Sequence, residues 1–272
     1  MQDERINQGP AYVMKAFPLS RRLVVDSARI GKRKHTITAL IEADVTEARR
    51  IILAHKEKTG ESLSFTAFVL SCLGQAIDQN KYFHACRDLR GRLILFEEVD
   101  CTTLIEIDLQ SQKFPLAHII RSINKRSLRS IHEEIRSIQA RPEASQGLSR
   151  NRRFLGAFLL LPSFVRDISY YFLSRSPFLF KQQIGTVMVS AVGMFGNSSG
   201  WGISPGSFYT TDIIIGGIAE KPGVVDGQVA VRDYLSITIN LDHDVIDGAP
   251  AARFVAGLIT LIESAHGLEE YR

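Results

Sequence analysis

A chain of 272 residues, 45% hydrophobic and 23% charged, has the length of one large domain or two small ones and the balance of a soluble globular protein. Its net charge of +4 is too slight a bias to mark a nucleic-acid binder, and no apolar run reaches the length of a membrane span. The three cysteines, Cys72, Cys86 and Cys101, are odd in number and lack metal-ligand spacing, so they read as reduced core thiols. No metal is expected. The first residues have no basic-then-apolar pattern, which makes the expected location cytoplasmic.

Residues 1–20, with Pro10 and Pro18, read as an extended N-terminal arm ahead of a single domain over 21–272. Lys34–Asp44 alternates and predicts a strand. Thr46 is the expected N-cap of a helix through Glu47–Leu53 that Gly60 breaks. Ser64 opens a second helix, in which Phe65, Phe68, Val69, Cys72, Leu73 and Ala76 share one face. Short strands follow over Arg92–Glu97 and Cys101–Ile107. Ser127–Ala140 then predicts a helix that faces solvent with Glu133, Glu134 and Arg136. Strands over Ile184–Val192, Thr211–Ile218, Gln228–Val231 and Tyr234–Leu241 occupy the last third. Helices and strands are partly segregated, which argues for α+β with a mixed sheet.

The densest chemistry lies at Asp242-His243-Asp244-Val245-Ile246-Asp247-Gly248. Before it, Leu235, Ile237, Ile239 and Leu241 alternate with polar residues, as in a strand with one buried face. After it, Pro250 sits in the first turn of an apolar helix, where proline is tolerated. A histidine between strand and helix, with a carboxylate four residues on, has the arrangement of a positioned general base. A calcium loop is excluded, because counting from Asp242 places Ile246 fifth, the glycine seventh and Arg253 twelfth. The competing reading is an exposed acidic turn with an incidental histidine.

Asp-His-x-x-x-Asp-Gly-Ala-x-x-Ala-Arg-Phe, ending at Phe254, resembles the active-site signature of the dihydrolipoyl acyltransferase subunits of 2-oxo acid dehydrogenase complexes and of the related chloramphenicol acetyltransferases. Gly185–Gly196 is similar to the family's strand bearing the serine that faces the catalytic histidine. Glu42–Thr46 is similar to its early strand running into a helix. The resemblance extends from about Arg21 to Glu263. It implies a chloramphenicol acetyltransferase-like α+β fold, a mixed sheet flanked by helices, with the site at a trimer interface. It also implies acyl transfer by direct attack of a thiol, hydroxyl or amine on a thioester. The thioester substrate is coenzyme A or the phosphopantetheine of an acyl carrier protein. His243 is then the base and Ser190 the oxyanion donor. Asp247 orders the turn, with Arg21 or Arg22 as its partner.

Two alternatives stand beside that reading: a lipoyl-dependent core subunit of a 2-oxo acid dehydrogenase complex, and an inactive trimeric scaffold. Retention of His243, Ser190 and Asp247 together argues against the scaffold. No lipoyl-type segment is seen upstream, so a stand-alone domain is expected. In the family, cages are joined through an apolar C-terminal tail, and here Glu269, Glu270 and Arg272 would be costly to desolvate. The expectation is therefore a homotrimer, not a cage, with no nucleic-acid partner.

The chain departs from the family in four places. Asp244 replaces an arginine after the histidine and is expected to raise the pKa of His243. Leu109–Leu116 and Gly200–Phe208 differ from the family's substrate segments. An apolar, basic insertion at about 148–183 includes Phe154–Val165 and Ile168–Leu173, and Arg150, Arg152, Arg153, Arg166, Arg175 and Lys181 punctuate it. Such a stretch suits an acyl carrier protein, a membrane surface that would make the chain peripheral, an acyl-chain pocket, or a helical hairpin packed on its own trimer.

Overall fold

The computed structural model describes residues 12–19, 21–109, 112–145, 152–193, 199–204 and 206–272. Expectations for residues 1–11 and 20 of the arm, for 110–111 and 205 of the two substrate segments, for 148–151 of the insertion and for 194–196 of the serine motif lie outside the described residues.

Two long strands form the spine. β7 (Thr211–Val225) and β8 (Gln228–Asp242) pair antiparallel around Asp226-Gly227, both at positive φ (50° and 79°). An Asp-Gly pair suits the primed turn of a two-residue hairpin, where both central residues have φ > 0. The sequence predicts two strands here, over Gln228–Val231 and Tyr234–Leu241; the structure makes them one. The interruption, Arg232-Asp233, is pinned within the ladder. Arg232 Nε donates to Asp44 at 2.6 Å, and Arg49 pairs with Asp233 at 2.8 Å.

β1 (Thr36–Asp44) lies on one side of β8. Beyond β7 come β6 (Val187–Ala191), β4 (Cys101–Leu109) and the edge strand β5 (Gln112–Ile120). The β6 pairings with β7 and β4 are parallel and the rest antiparallel, so the sheet is mixed, as expected. β5 escapes sequence reading because Pro115 interrupts it. Proline is tolerated there because an edge strand leaves one row of N–H groups unpaired. Leu93–Ile94 (β3) pairs only with Cys86–Arg87 (β2), in place of the longer strand predicted over Arg92–Glu97.

Helices α2 (Thr46–Thr59), α3 (Phe65–Asp78), α4 (Leu128–Ala140) and α8 (Gly248–Glu263) share the main core with the sheet. In α3, Phe68, Leu70, Leu73 and Ile77 are fully buried, and Ser64 caps the helix by accepting from Ala67 N at 3.2 Å. Thr46 is not the cap of α2. It is the first helical residue, and the Asp44 carboxylate accepts its N–H at 2.9 Å. Nor is α4 merely a solvated face. Leu128, Ile131, Ile135 and Ile138 are buried along one stripe, and His132 Nδ1 accepts from Ser64 N at 3.0 Å.

α1 (Arg21–Gly31) is anchored by a buried carboxylate rather than by an apolar side chain. Asp26 accepts two hydrogen bonds from Arg166, at 2.7 and 2.9 Å, with both side chains buried. Arg166 belongs to the insertion, which folds as α5 (Arg152–Leu160), α6 (Ser163–Ser174) and α7 (Pro177–Ile184). Arg29 adds a 2.8 Å bond to Asp167. Underneath, Phe180 joins Cys86 and Tyr209 in an apolar cluster separate from the main core. The outer side keeps Phe164, Ile168, Phe172 and Phe178 more than half exposed. Among the described residues no helix is long and apolar enough to cross a membrane.

Candidate active site

β8 delivers His243 to a turn that the backbone holds tightly. The β1–β8 register sets Thr36 opposite Asp242, so the residue before β1 reaches past the strand end. His243 N donates to His35 O at 2.7 Å, and Asp242 N to Thr210 O at 2.9 Å. The Asp242 carbonyl then accepts from Val245 N at 3.1 Å and Ile246 N at 3.0 Å. Ile246 is buried and roots the turn in the core. The Asp242 carboxylate is neutralised by Lys34 at 2.8 Å and accepts from Asp244 N at 3.1 Å.

The His243 ring remains 46% exposed, with Nδ1 3.9 Å from Asp247 Oδ1. That is ion-pair range but too long for a hydrogen bond. Asp247 occupies the N-cap position of α8 without a side-chain cap bond, and is 87% exposed. Neither candidate arginine reaches it within the chain: Arg22 donates instead to the Leu159 carbonyl at 2.6 Å, and Arg21 is exposed.

Asp244 turns away from His243. Its Oδ1 lies 2.8 Å from His35 Nδ1 and its Oδ2 3.5 Å from Arg87. The hydrogen bond and charge of Asp244 raise the pKa of His35 above 6.5, and His35 lowers that of Asp244 below the usual carboxylate range. The acid beside the candidate base therefore acts on His35. Lys34, His35 and Arg87 were not legible as site residues, because only the β1–β8 register carries the first two to the turn.

Ser190 stands in β6 opposite Ile214 of β7. It borders a cavity of about 320 Å³ with Leu104, Glu106, Phe114 and Pro115. Three residues on, Gly193 needs to be glycine: a Cβ there would sit 1.7 Å from the Gly216 carbonyl oxygen. The chain does not bring Ser190 and His243 together. Ile214 pairs with Thr238, five positions before His243. Two strand spacings of about 4.8 Å and five residues at about 3.3 Å separate the two Cα atoms by roughly 19 Å.

The long strand β8 of a mixed sheet thus runs through a histidine turn into α8 and presents a half-exposed imidazole at the sheet's end. The family model described as 2-oxoacid dehydrogenases acyltransferase (catalytic domain) matches residues 181–269, a stretch that includes Ser190, His243 and Asp247. The lipoamide acyltransferase component of the branched-chain alpha-keto acid dehydrogenase complex of Bacillus subtilis is 24% identical over 231 residues, 83% of this chain and 46% of that protein. The dihydrolipoyllysine-residue acetyltransferase component of the pyruvate dehydrogenase complex of Zymomonas mobilis is 34% identical over 87 residues, 32% of this chain and 19% of that protein. The chain thus spans about half or less of the curated relatives it matches.

Among solved structures, the probable dihydrolipoamide acetyltransferase of Listeria monocytogenes has a TM-score of 0.68 at 18% identity, covering 94% of this chain and 97% of that one. The cubic core of a pyruvate dehydrogenase multienzyme complex also has a TM-score of 0.68 at 18% identity, covering 98% and 99%. At such identity the likeness is one of fold. Over residues 181–269 the chain is thus similar to the catalytic domain of 2-oxo acid dehydrogenase acyltransferases, and it shares the fold of dihydrolipoamide acetyltransferase cores.

Proposed function

We propose that this chain transfers acyl groups between a thioester and a thiol, as a lipoyl-dependent acyltransferase with coenzyme A as its second substrate. The observation that carries the reading is the His243 turn: a half-exposed imidazole fixed by backbone bonds at the end of a buried strand. The names of the curated relatives favour a lipoyl partner over an acyl carrier protein.

In the proposed step the His243 ring nitrogen facing away from Asp247 takes the proton of the attacking thiol. The sulfur adds to the thioester carbonyl, and the Ser190 hydroxyl donates a hydrogen bond to the oxyanion. Collapse breaks the donor's carbon–sulfur bond, and the leaving thiolate recovers the proton from the imidazolium. Because one chain holds the two side chains so far apart, Ser190 would come from a neighbouring copy, which calls for a homotrimer. Leu268 is fully buried against the chain's own core, and Tyr271 meets the His55 ring edge-on at 5.1 Å. With Leu268 and Tyr271 engaged within the chain, neither side chain is free to join a second trimer, and the assembly in this proposal is a trimer and not a cage. The location we assign is cytoplasmic.

The test is coenzyme A release from acetyl-coenzyme A with dihydrolipoamide, compared with an acetylated carrier protein as donor. The proposal expects dihydrolipoamide to be acetylated, and His243→Ala to lower the rate by on the order of 10²–10⁴-fold. An unchanged rate in that variant would remove the base from the account.

A further inference from the structure

Behind the histidine turn lies a cavity of about 350 Å³, closed on its other side by the insertion. Asp242, Asp244 and Val245 border it, while His243 does not, so the cavity meets the back of the turn rather than the imidazole. Its size falls within the ~300–1,000 Å³ typical of small-molecule sites. It is also separate from the cavity beside Ser190.

The floor is apolar: Ile30, Cys86, Phe180 and Phe208. Phe180 and Cys86 belong to the satellite cluster that only the insertion completes. The rim is charged, and its pairing is uneven. Asp242 is taken by Lys34, Asp244 by His35 and Arg87, and Asp167 by Arg29 and Arg33. Arg175, at the C-cap of α6, is the cation left over. Its guanidinium lies 5.8 Å from the Tyr171 ring centroid, and no carboxylate among the described residues pairs with it. A guanidinium without a counter-charge above an apolar floor suits a ligand with one anionic end and a hydrocarbon body.

We propose that this cavity binds a small amphipathic carboxylate, a medium-chain fatty acid or a compound of that shape. Its carboxylate sits on Arg175 and its alkyl chain lies against Phe180 and Phe208. The bound chain bridges the insertion to Asp244 and Val245, so the insertion serves as the wall of a ligand site as well as a packed appendage. Binding at the back of the turn does not depend on acyl transfer, and the measurement below involves no catalysis.

The experiment is calorimetric titration of the full chain with octanoate, with octanol and acetate as controls for chain without charge and charge without chain. Octanoate should bind saturably at one site per chain, and more tightly than either control by at least about tenfold, the least a charged hydrogen-bonded contact contributes. Arg175→Leu should weaken octanoate by a similar factor and leave octanol unaffected. Ser174→Trp, which fills the cavity from its wall, should abolish both. Phe178→Ser, on the exposed side of α7, should bind as the parent does. Circular dichroism of each variant confirms folding, and competition of octanoate with octanol for the parent chain gives a readout that needs no substitution. Octanoate binding that survives both Arg175→Leu and Ser174→Trp would overturn the assignment, as would a parent chain that binds octanoate no better than octanol.

Discussion

His35 Nδ1 and Asp244 Oδ1 lie 2.8 Å apart, across the turn that presents His243. The contact diverts an acid that sequence reasoning had aimed at the base. It also makes a titration prediction. Asp244 raises the His35 pKa above 6.5, so the contact's stabilisation is complete below that value and fades as pH rises through the folded pKa. Ring-proton NMR should find His35 titrating above 6.5, and Asp244→Asn should bring it back down. A parent value at or below 6.5 would show that the pair does not form in solution.

His84 predicts a pH dependence of opposite sign. Burial, then the charge of Lys81, pushes its pKa down to about 4 from 6.5; its Nδ1 lies 3.2 Å from Thr186 Oγ1 and its Nε2 makes no well-formed hydrogen bond among the described residues. A histidine folded in the neutral form stabilises above its unfolded pKa, and that stability drains away as pH falls from 6.5 towards 4. A shift of this size is worth about 3 kcal/mol. Urea unfolding should therefore show stability rising between pH 4.5 and 7, with a flatter profile in His84→Gln. An equally steep profile in that variant would assign the effect to other groups.

The insertion's attachment rests on Asp26 and Arg166, both buried. Removing one partner of a buried pair strands the other charge, so Asp26→Ala should cost about 3–5 kcal/mol. Arg33→Ala touches the same insertion through a side chain that is 62% exposed, at 3.3 Å from Asp167, and should cost at most about 1 kcal/mol. Chemical denaturation of the two variants measures the contrast. Similar losses in both would mean that the insertion is held mainly by its apolar underside.

What was legible in the sequence tracks what was periodic. The α3 stripe and the alternation over Leu235–Leu241 announce their elements, because burial there falls on apolar residues at regular spacing. The polar side of that last stretch gave no warning of being buried too. Ser236, Thr238 and Asn240 all are, and Asn240 meets that burial by bonding to Thr38 at 2.7 Å and Asp212 at 2.9 Å. α1 stayed hidden because its anchor is a carboxylate, and β5 because of its proline. The histidine turn could be read because it is local in sequence. The cradle of Lys34, His35 and Arg87 could not, since those residues reach the turn only through tertiary structure. Nor does spacing along the chain reveal that Ser190 and His243 are kept apart.

The central claim, that acyl transfer uses His243 of one copy and Ser190 of the next, is most directly tested by mixing two inactive variants. His243→Ala and Ser190→Ala chains, unfolded together and reassembled, pair an intact histidine with an intact serine at some subunit boundaries. For random mixing in a closed ring that fraction is about one quarter. The account predicts that the mixed sample releases coenzyme A from acetyl-coenzyme A well above either variant assembled alone, towards a quarter of the parent rate. A mixed sample no faster than the average of the two variants would contradict a site shared between copies.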